Sequence, residues 1–231
     1  PRGETPPAQP LAARPPLMGR HVPHVLAADG WEGSVLPLTA DQTHHLRRVL
    51  RLVDGEEVSY TDGAGRIGRG RLTGDGVERG EETTVPRPMG LTLAVAPPKS
   101  KDRARFVVEK LAELGVARLL WVRTRFTEGR PPPAAKSKAW AEAALEQSRG
   151  AWLMDIGQCA LSDLDPIGLV VADPEGKEPQ TEVKTLLIGP EGGLDPSEIP
   201  VGAEAVSLGP TILRVETAAV VGAAVLGRRR R

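Results

Sequence analysis

The sequence predicts an α/β protein in two parts, a small β-barrel followed by an α/β domain with a mostly parallel sheet. Residues 20–88 contain short strand-like runs separated by Asp-Gly pairs, a pattern typical of a small β-barrel. From Leu91 onward, apolar runs alternate with helical patterns, which is typical of a parallel sheet covered by helices. Ligand sites of such a sheet are expected in the loops beyond the carboxyl ends of its strands.

The predicted barrel has four short strands and one helix. The strands are expected at Ser34–Leu38, Glu57–Thr61, Gly68–Leu72 and Glu82–Val85, with Asp-Gly turns at residues 54–55, 62–63 and 75–76. The helix is predicted over Thr39–Leu50, with Thr39 as its cap. Two prolines, Pro86 and Pro88, mark the boundary to the second domain, which is expected over residues 89–231.

The second domain alternates predicted strands and helices. The strands are expected at Leu91–Ala96, Val116–Val122, Gly168–Ala172, Thr185–Ile188 and Ala205–Leu208, and the helices at Lys101–Leu114, Ala134–Arg149 and Leu213–Leu226. Gly115 directly follows the first helix, at the position where a left-handed residue ends a helix. The last helix is small and apolar after its first turn, so it can pack closely on the sheet or on a partner subunit.

Composition limits the possible functions. No apolar run approaches the roughly 20 residues that cross a bilayer. The only cysteine, Cys159, cannot form an internal disulfide, and we expect a cytoplasmic protein. The formal net charge is zero, so nucleic-acid binding would depend on local basic patches. Residues 1–19, rich in Pro, Ala and Arg, are expected to form a flexible leader.

Three patterns that suggest other functions have simpler explanations. The segment Gly63–Gly68 matches the GxGxxG motif of dinucleotide-binding proteins, but a strand follows it instead of a helix, so we predict a hairpin turn. The four histidines lack cysteine or carboxylate partners at ligand spacing, so no metal site is expected. Cys159 has no basic or histidine neighbour in sequence that would activate its thiol.

Two loops near the C-terminus carry the strongest functional signal. The apolar run Leu186–Ile188 leads into the glycine-rich loop Gly189–Gly193, and a second loop follows within Leu208–Ala218. Glycines let a ligand approach the main chain, and Arg214 and Glu216 are placed for ligand contact or capping. No Lys-Ser/Thr pair follows the glycines, so a triphosphate ligand is not expected. We expect the two loops to form two walls of one pocket.

The same loops carry the motifs of a known family. The segments LLIGPEGG at Leu186–Gly193 and LGPTILRVETA at Leu208–Ala218 closely resemble the C-terminal signature of the bacterial 16S ribosomal RNA uracil-N3-methyltransferases. This family belongs to the SPOUT superfamily of knotted, S-adenosylmethionine-dependent methyltransferases. Val108–Val116 is similar to the family's K-x-x-ELGV helix end, Glu146–Arg149 to its EQS-x-R segment, and His44–Arg51 to HHL-x-x-VLR of its PUA-like barrel.

The chain departs from the family pattern at two places. Arg20–His24 stands where the barrel usually begins with aromatic residues. The proline that commonly follows EQS-x-R is absent, and Trp152–Asp155 occupies that region. The resemblance otherwise runs from about residue 20 to the C-terminus.

The resemblance implies a SPOUT α/β-knot methyltransferase domain after an N-terminal PUA-like β-barrel. It further implies S-adenosyl-L-methionine as cofactor, 16S ribosomal RNA of the small subunit as substrate, a homodimer, no metal and no membrane. The residues expected to hold the cofactor are Ala172, Ile188, Gly189, Pro190, Glu191, Gly192, Gly193, Leu208, Gly209, Ile212, Leu213, Thr217 and Ala218.

Methylation at uracil N3 requires the loss of a weakly acidic proton, for which a nearby base would help. Glu216 is the first candidate and Glu191 the second, and Arg214, Arg103 and Arg125 are candidates for gripping the base or phosphate. Glu216 could instead order the helix start through backbone N–H groups. The residues expected to contact RNA are Arg47, Arg48, Arg51, Lys99, Arg103, Arg125 and Arg149. The excess of arginine over lysine before Lys99 also fits GC-rich codon usage.

Two other functions fit the same motifs. A SPOUT methyltransferase could act on the 2′-hydroxyl of a ribose in another RNA. The chain could also keep the fold without turnover, as an RNA-binding or ribosome assembly factor.

Overall fold

The computed structural model describes residues 22–87, 90–178 and 182–228. The predicted leader, residues 1–19, lies outside these ranges, as do the last three arginines of the chain. Within the described ranges no helix is long and apolar enough to cross a membrane.

The N-terminal part is a five-stranded sheet, built from strands β1 (His24–Leu26), β2 (Val35–Leu36), β3 (Glu57–Thr61), β4 (Arg66–Thr73) and β5 (Gly76–Thr84). The strand order is β1-β3-β4-β5-β2, with β1 parallel to β3 and the other neighbours antiparallel. All four predicted strands therefore exist, and β1 is an addition. The two end strands of this order do not pair in the described chain, so the predicted barrel is open on that side.

The predicted helix at Thr39–Leu50 is two helical pieces. Helix α1 (Ala40–His44) begins at the cap Thr39, whose hydroxyl accepts a 3.2 Å hydrogen bond from the backbone of Gln42. The chain then continues as a π-helix at His45–Val49, and Leu50 N–H donates to the His45 carbonyl five residues earlier. The predicted helical insert and its cap are confirmed, and the second half of the insert is a π-helix.

The glycine-rich segment Gly63–Gly68 joins β3 to β4, as the hairpin prediction requires. Two of its glycines, Gly63 and Gly65, make room for side chains of the second part of the chain. A Cβ on Gly65, whose φ is +106°, would lie 2.4 Å from Cζ2 of Trp152. The indole N–H of Trp152 donates a 3.0 Å hydrogen bond to the Val85 carbonyl. The tryptophan that departs from the family pattern therefore packs against the hairpin.

The second part is a six-stranded parallel sheet. Its strands are β6 (Thr92–Val95), β7 (Arg118–Arg123), β8 (Asp155–Ala160), β9 (Leu169–Lys177), β10 (Thr185–Ile188) and β11 (Glu204–Val206), in the order β11-β9-β10-β6-β7-β8. The helices are α2 (Lys101–Glu113), α3 (Ala134–Ser148) and α4 (Val215–Arg228). The predicted α/β domain with a mostly parallel sheet is confirmed.

Three details of this part differ from the prediction. Strand β8 was missed, because it lies at the sheet edge and carries exposed polar positions among its apolar ones. Strand β9 continues to Lys177, and β11 ends at Val206. Helix α4 begins at Val215, so Arg214 precedes it and its carbonyl accepts a 2.8 Å hydrogen bond from Ala218 N–H.

Both faces of the sheet are covered, as expected for parallel strands. All four residues of β10 are buried. Leu186 and Ile188 join the larger apolar core with α2 and α4, whereas Leu187 joins a smaller core on the opposite face. This alternation leaves the carboxyl ends of the central strands as the place where loops can form a site.

Candidate functional site

A cavity of about 400 Å³ lies at the carboxyl ends of β10 and β11 and beside the middle of β9. Its walls come from residues 171–174 within β9, the glycine-rich loop after β10, and the segment between β11 and α4. The two C-terminal loops thus enclose one pocket with a third wall from β9. Pockets of this volume are typical of small-molecule sites.

The structure brings most of the predicted cofactor residues to this cavity. Those that line it are Ala172, Ile188, Gly189, Pro190, Glu191, Gly193, Leu208, Gly209, Ile212, Leu213 and Ala218. Gly192 and Thr217 do not line it. Gly192 lies against Phe126 instead, where an added Cβ would be 3.1 Å from the Cβ of that side chain.

The predicted set of cofactor residues omitted part of the lining, namely Val171, Asp173, Pro174, Leu194, Ile199, Thr211 and Val215. Of these, Thr211 and Val215 lie within the predicted wall Leu208–Ala218. The position of Asp173 could have been predicted from the sequence. It closely follows the buried run Leu169–Val171, and a polar residue there is placed at the edge of the sheet where ligands bind. Its carboxylate accepts a 2.8 Å hydrogen bond from Glu175 N–H. Ile199 lies in a loop that the sequence motifs do not include, so only the fold brings it to the cavity.

The glycine-rich loop has the geometry of a tight turn. Gly193 N–H donates a 2.9 Å hydrogen bond to the Pro190 carbonyl, and Gly193 has a φ of +78°, which favours glycine. Leu194 packs directly on Gly189, where an added Cβ would be 2.8 Å from the leucine Cγ. Glycine at these two positions therefore fixes the wall of the cavity beside Ile188.

Arg125 ties the turn after β7 to the short helical turn Pro196–Glu198, which follows the glycine-rich loop. The guanidinium of Arg125 pairs with Asp195 at 2.6 Å, and its backbone N–H donates to Glu198 at 2.7 Å. Hydrogen bonds from the hydroxyl and the backbone N–H of Ser197, followed by the contact with Arg125, hold the pKa of Asp195 below its ordinary value. Arg125, expected to contact RNA, thus orders the turn at Asp195–Glu198, while its side chain stays 67% exposed.

Arg103 on α2 lies between two carboxylates at the edge of the cavity. Its Nη1 is 3.7 Å from Oε1 of Glu191, and its Nε is 3.5 Å from Oε1 of Glu216. Both contacts are ion pairs, and their N···O distances are longer than those of a normal hydrogen bond. The N–H groups of this guanidinium therefore keep the capacity to bind another acceptor.

Glu191 and Glu216 differ in exposure. Glu191 lines the cavity, and its side chain is 45% exposed. Glu216 does not line it, is 13% exposed, and has a buried Oε2 with no hydrogen-bond partner in the described chain. The alternative in which Glu216 orders the helix start through backbone N–H groups thus has no supporting hydrogen bond in these ranges.

The three arginines expected to bind RNA in the N-terminal part lie on or just after the π-helix and differ in their contacts. Arg47 is held by Asp54 and by the Thr73 carbonyl, each at 2.6 Å. Arg48 and Arg51 are exposed. They lie among the exposed apolar side chains of Val49, Leu50 and Val53, which together form a mixed cationic and apolar surface.

The other predicted RNA contacts lie on the α/β part. Lys99 is exposed and pairs with Glu128. Arg149 ends α3 in the left-handed conformation, with a φ of 58°. Arg214 is exposed and lines the cavity beside Glu191.

Metal and thiol chemistry have little support in the described ranges. No group of three or more His, Cys, Asp or Glu side chains there could hold a metal ion. Cys159 on β8 is partly buried, and this burial raises the pKa of its thiol. A raised pKa lowers the thiolate fraction, which makes the side chain a poor nucleophile.

Comparison with known sequences gives two family matches and curated relatives. The profile of an RNA methyltransferase domain matches residues 85–227, and that of an RNA methyltransferase PUA domain matches residues 38–76. Ribosomal RNA small subunit methyltransferase E of Synechocystis is 30% identical over 220 residues, covering 83% of this chain and 72% of the relative. The protein of that name from Mycobacterium tuberculosis is 27% identical over 234 residues, covering 84% of this chain and 87% of the relative.

Solved structures share the fold over nearly the whole chain. A probable rRNA-methyltransferase from Porphyromonas gingivalis has a TM-score of 0.78 at 28% identity, covering 91% of this chain and all of that one. A ribosomal RNA small subunit methyltransferase E from Neisseria gonorrhoeae, bound to S-adenosyl methionine, has a TM-score of 0.74 at 23% identity. The latter match covers 90% of this chain and 98% of that one.

Proposed function

Because the chain belongs to the RNA methyltransferase family, we propose that it transfers the methyl group of S-adenosylmethionine to N3 of a uridine in 16S ribosomal RNA. The observation that carries this proposal is the cavity at the carboxyl ends of β10 and β11 and beside β9, with Arg103 and Glu191 at its edge. The curated relatives are named for the small ribosomal subunit, which supports a ribosomal substrate. Work on that substrate would place the protein in the cytoplasm.

The lining of the cavity fits S-adenosylmethionine. Buried Val171, Ile188 and Val215 supply apolar surface for an adenine ring. Gly189 and Gly193 bring main-chain groups close to the ligand, and Asp173 offers a carboxylate to a hydroxyl or ammonium group. When bound, the cofactor supplies an electrophilic methyl group with a good sulfonium leaving group. Positioning by the two loops then supplies much of the rate acceleration.

Arg103 is the residue best placed to stabilise the reacting uracil. Loss of the N3 proton places negative charge on the carbonyl oxygens O2 and O4, which flank N3. A guanidinium held by ion pairs on two sides can donate to such an oxygen without reorganising. Arg214, exposed on the cavity wall, is a second donor for the base or its phosphate.

Glu191 is a better candidate than Glu216 for accepting the N3 proton. A general base must come within hydrogen-bond reach of the proton that it removes. Glu191 is exposed in the cavity, whereas Oε2 of Glu216 is buried and Glu216 does not line the cavity. Glu216 then acts through Arg103, as a positioning residue that holds the guanidinium at the cavity edge. The order of the two candidates proposed from sequence is thereby reversed.

The N-terminal part offers a surface for RNA, and the C-terminal helix offers a surface for a second subunit. Exposed Arg48 and Arg51 would bind the RNA backbone, so binding should weaken steeply with salt. The target uridine in folded RNA must leave its stack to reach the cavity. Ile212, 85% exposed beside the cavity, and Val225 on α4, 43% exposed, suit burial in a homodimer.

Methyl transfer by four variants tests these roles. Glu191→Gln should lower kcat by about 10²–10⁴-fold, because the base is lost. Its S-adenosylmethionine affinity, measured by calorimetry, should stay close to that of the wild type.

Arg103→Ala and Arg214→Ala should lower kcat, while Glu216→Gln should have a smaller effect than Arg103→Ala. Glu109→Gln, in an ion pair with Arg105 on α2, is the matched control.

The assay compares small ribosomal subunits with naked 16S rRNA as substrate. Loss of activity in Glu216→Gln with near wild-type activity in Glu191→Gln would restore Glu216 as the base. Methyl transfer to a ribose hydroxyl would instead identify a 2′-O-methyltransferase.

A further inference from the structure

A second recess of about 430 Å³ lies on the same edge of the sheet as the cofactor cavity. Its walls are the loop after β6, the first turn of α2, the loop after β7 and the start of α3. The two loops touch at Gly129, where an added Cβ would lie 2.0 Å from the Pro97 carbonyl oxygen. This contact gives the recess a fixed shape. Apart from Lys99, its residues have no part in the roles assigned above.

The recess is strongly cationic. Its charged lining residues are Lys99, Lys101, Arg130 and Lys136, with Glu128 as the one carboxylate among them. Glu128 pairs with Lys99, and no ion pair holds Lys101, Arg130 or Lys136 in the described ranges. All three of these side chains are exposed and can meet a ligand. Three such cations around one depression favour an anion.

The backbone around the recess strengthens this preference. Two long helices, α2 and α3, begin at it, and neither start has a side-chain cap within the described chain. Helix starts carry partial positive charge and unsatisfied N–H groups. The prolines of the lining, Pro98 and Pro131–Pro133, have no N–H to donate.

The first turn of α2 separates this recess from the cofactor cavity. Lys101 and Ala104 line the recess, while Arg103 in the same turn faces Glu191 at the cofactor cavity. Strands β10 and β6, whose carboxyl ends lead into the two sites, are neighbours in the sheet. The separation is thus about the 10 Å diameter of one helix. A short stretch of single-stranded RNA can span that distance.

We propose that the recess lined by Lys101, Arg130 and Lys136 binds a backbone phosphate of the RNA, close in sequence to the nucleotide that is methylated. This inference rests on the proposed function for the identity of the polyanion. It adds a second point of attachment, which would hold the strand while the target base enters the cofactor cavity.

Removal of the three cations tests the site. The triple variant Lys101→Ala, Arg130→Ala, Lys136→Ala should bind naked 16S rRNA about tenfold more weakly at moderate salt. The slope of log affinity against log salt should fall by about 1 for each phosphate that the variant no longer binds. The matched control is Lys110→Ala, Arg118→Ala, Lys138→Ala, which removes the same charge from ion pairs outside the recess. Calorimetry with S-adenosylmethionine checks that both variants keep the cofactor cavity.

A gain of affinity provides a test that misfolding cannot imitate. Glu128→Gln removes the only carboxylate among the described lining residues and releases Lys99, so it should tighten RNA binding. Glu142→Gln, in an ion pair with Lys138 on α3, is its control.

The outcomes separate this inference from the proposed function. Equal affinities and salt slopes for the two triple variants, with no tighter binding by Glu128→Gln, would overturn the recess as a phosphate site. That result would leave methyl transfer by the wild type untouched. If the wild type transferred no methyl group to 16S rRNA while the recess variants still weakened RNA binding, the proposed function would fail and the recess would stand.

Discussion

The contacts of Arg103 show what the sequence reveals, and what it does not reveal, about a single residue. The motifs indicate that Glu191, Arg214 and Glu216 belong near one pocket, because they lie in two adjacent loops. They do not indicate that Arg103, far upstream on α2, lies between two of these carboxylates. Contacts of this kind depend on how the helix packs across the sheet. The difference in solvent exposure between Glu191 and Glu216 also results from packing.

His24 on β1 should make stability depend on pH. Its ring is buried, with Nδ1 2.9 Å from the Ser59 hydroxyl and Nε2 3.1 Å from the Gly150 carbonyl. Burial is the largest cause that lowers the pKa of His24 below 6.5, while the bond to the Gly150 carbonyl partly opposes it. The unfolded chain then binds more protons, so the stability contribution is complete above pH 6.5 and is lost as the pH falls through and below that value.

Urea unfolding between about pH 5 and pH 8, the range in which histidine titrates, measures this effect. The free energy of unfolding of the wild type should fall toward the acid end of that range. His24→Gln, which keeps polar contacts but cannot titrate there, should show a flatter profile. Identical profiles for the two proteins would contradict the assignment.

Individual helices and strands were largely predictable. The continuous apolar runs at β6, β7 and β10 and the starts and ends of the long helices match the structure closely. The edge strand β8 was missed because its burial is too uneven to give an apolar run. The π-helix at His45–Val49 was missed because hydrophobic periodicity does not separate it from a regular helix.

Helix α4 offers a matched test of close packing. A Cβ on Gly222 would lie 2.3 Å from Cδ2 of the fully buried Leu186, whereas one on Gly227 meets nothing within 4 Å. Both changes to alanine gain the same helix propensity. Gly222→Ala should therefore be less stable than Gly227→Ala by about 1–3 kcal/mol, the usual cost of overpacking. Thermal unfolding checks this difference, and equal stabilities would show that α4 does not pack on β10 as described.

At the scale of the whole molecule, the junction between the two sheets was the least predictable feature. The family segment Glu146–Arg149 could be recognised in the sequence, but the contacts that it makes could not be predicted. Oε1 of Glu146 accepts hydrogen bonds from Leu26 N–H at 2.9 Å and from the Gln42 amide at 2.8 Å. The junction joins residues more than a hundred positions apart, and such pairings are not encoded in local patterns.

Removal of the Glu146 carboxylate should loosen this junction. Glu146→Ala leaves the Leu26 N–H and the Gln42 amide without this acceptor, which should cost about 1–3 kcal/mol in unfolding free energy. Glu142→Ala, one helical turn earlier in an ion pair with Lys138, should change stability by less than about 1 kcal/mol. Chemical denaturation of both variants makes the comparison, and a Glu146→Ala protein as stable as Glu142→Ala would contradict the role of this contact.

The predicted domain boundary after residue 88 stays a prediction. Strand β5 ends at Thr84 and β6 begins at Thr92, so the boundary falls between the two sheets. The Gly65–Trp152 contact and the Glu146 junction attach the two parts to each other on the described surfaces. The two parts should therefore act together on one RNA.

The most direct test of the central claim is nucleoside mass spectrometry of 16S rRNA from cells that lack this gene. We expect 3-methyluridine to be absent from that RNA and to return when the wild-type gene is supplied, but not when the Glu191→Gln gene is supplied. If 3-methyluridine stays at the wild-type level in the deletion strain, this protein is not the uridine-N3 methyltransferase of 16S rRNA.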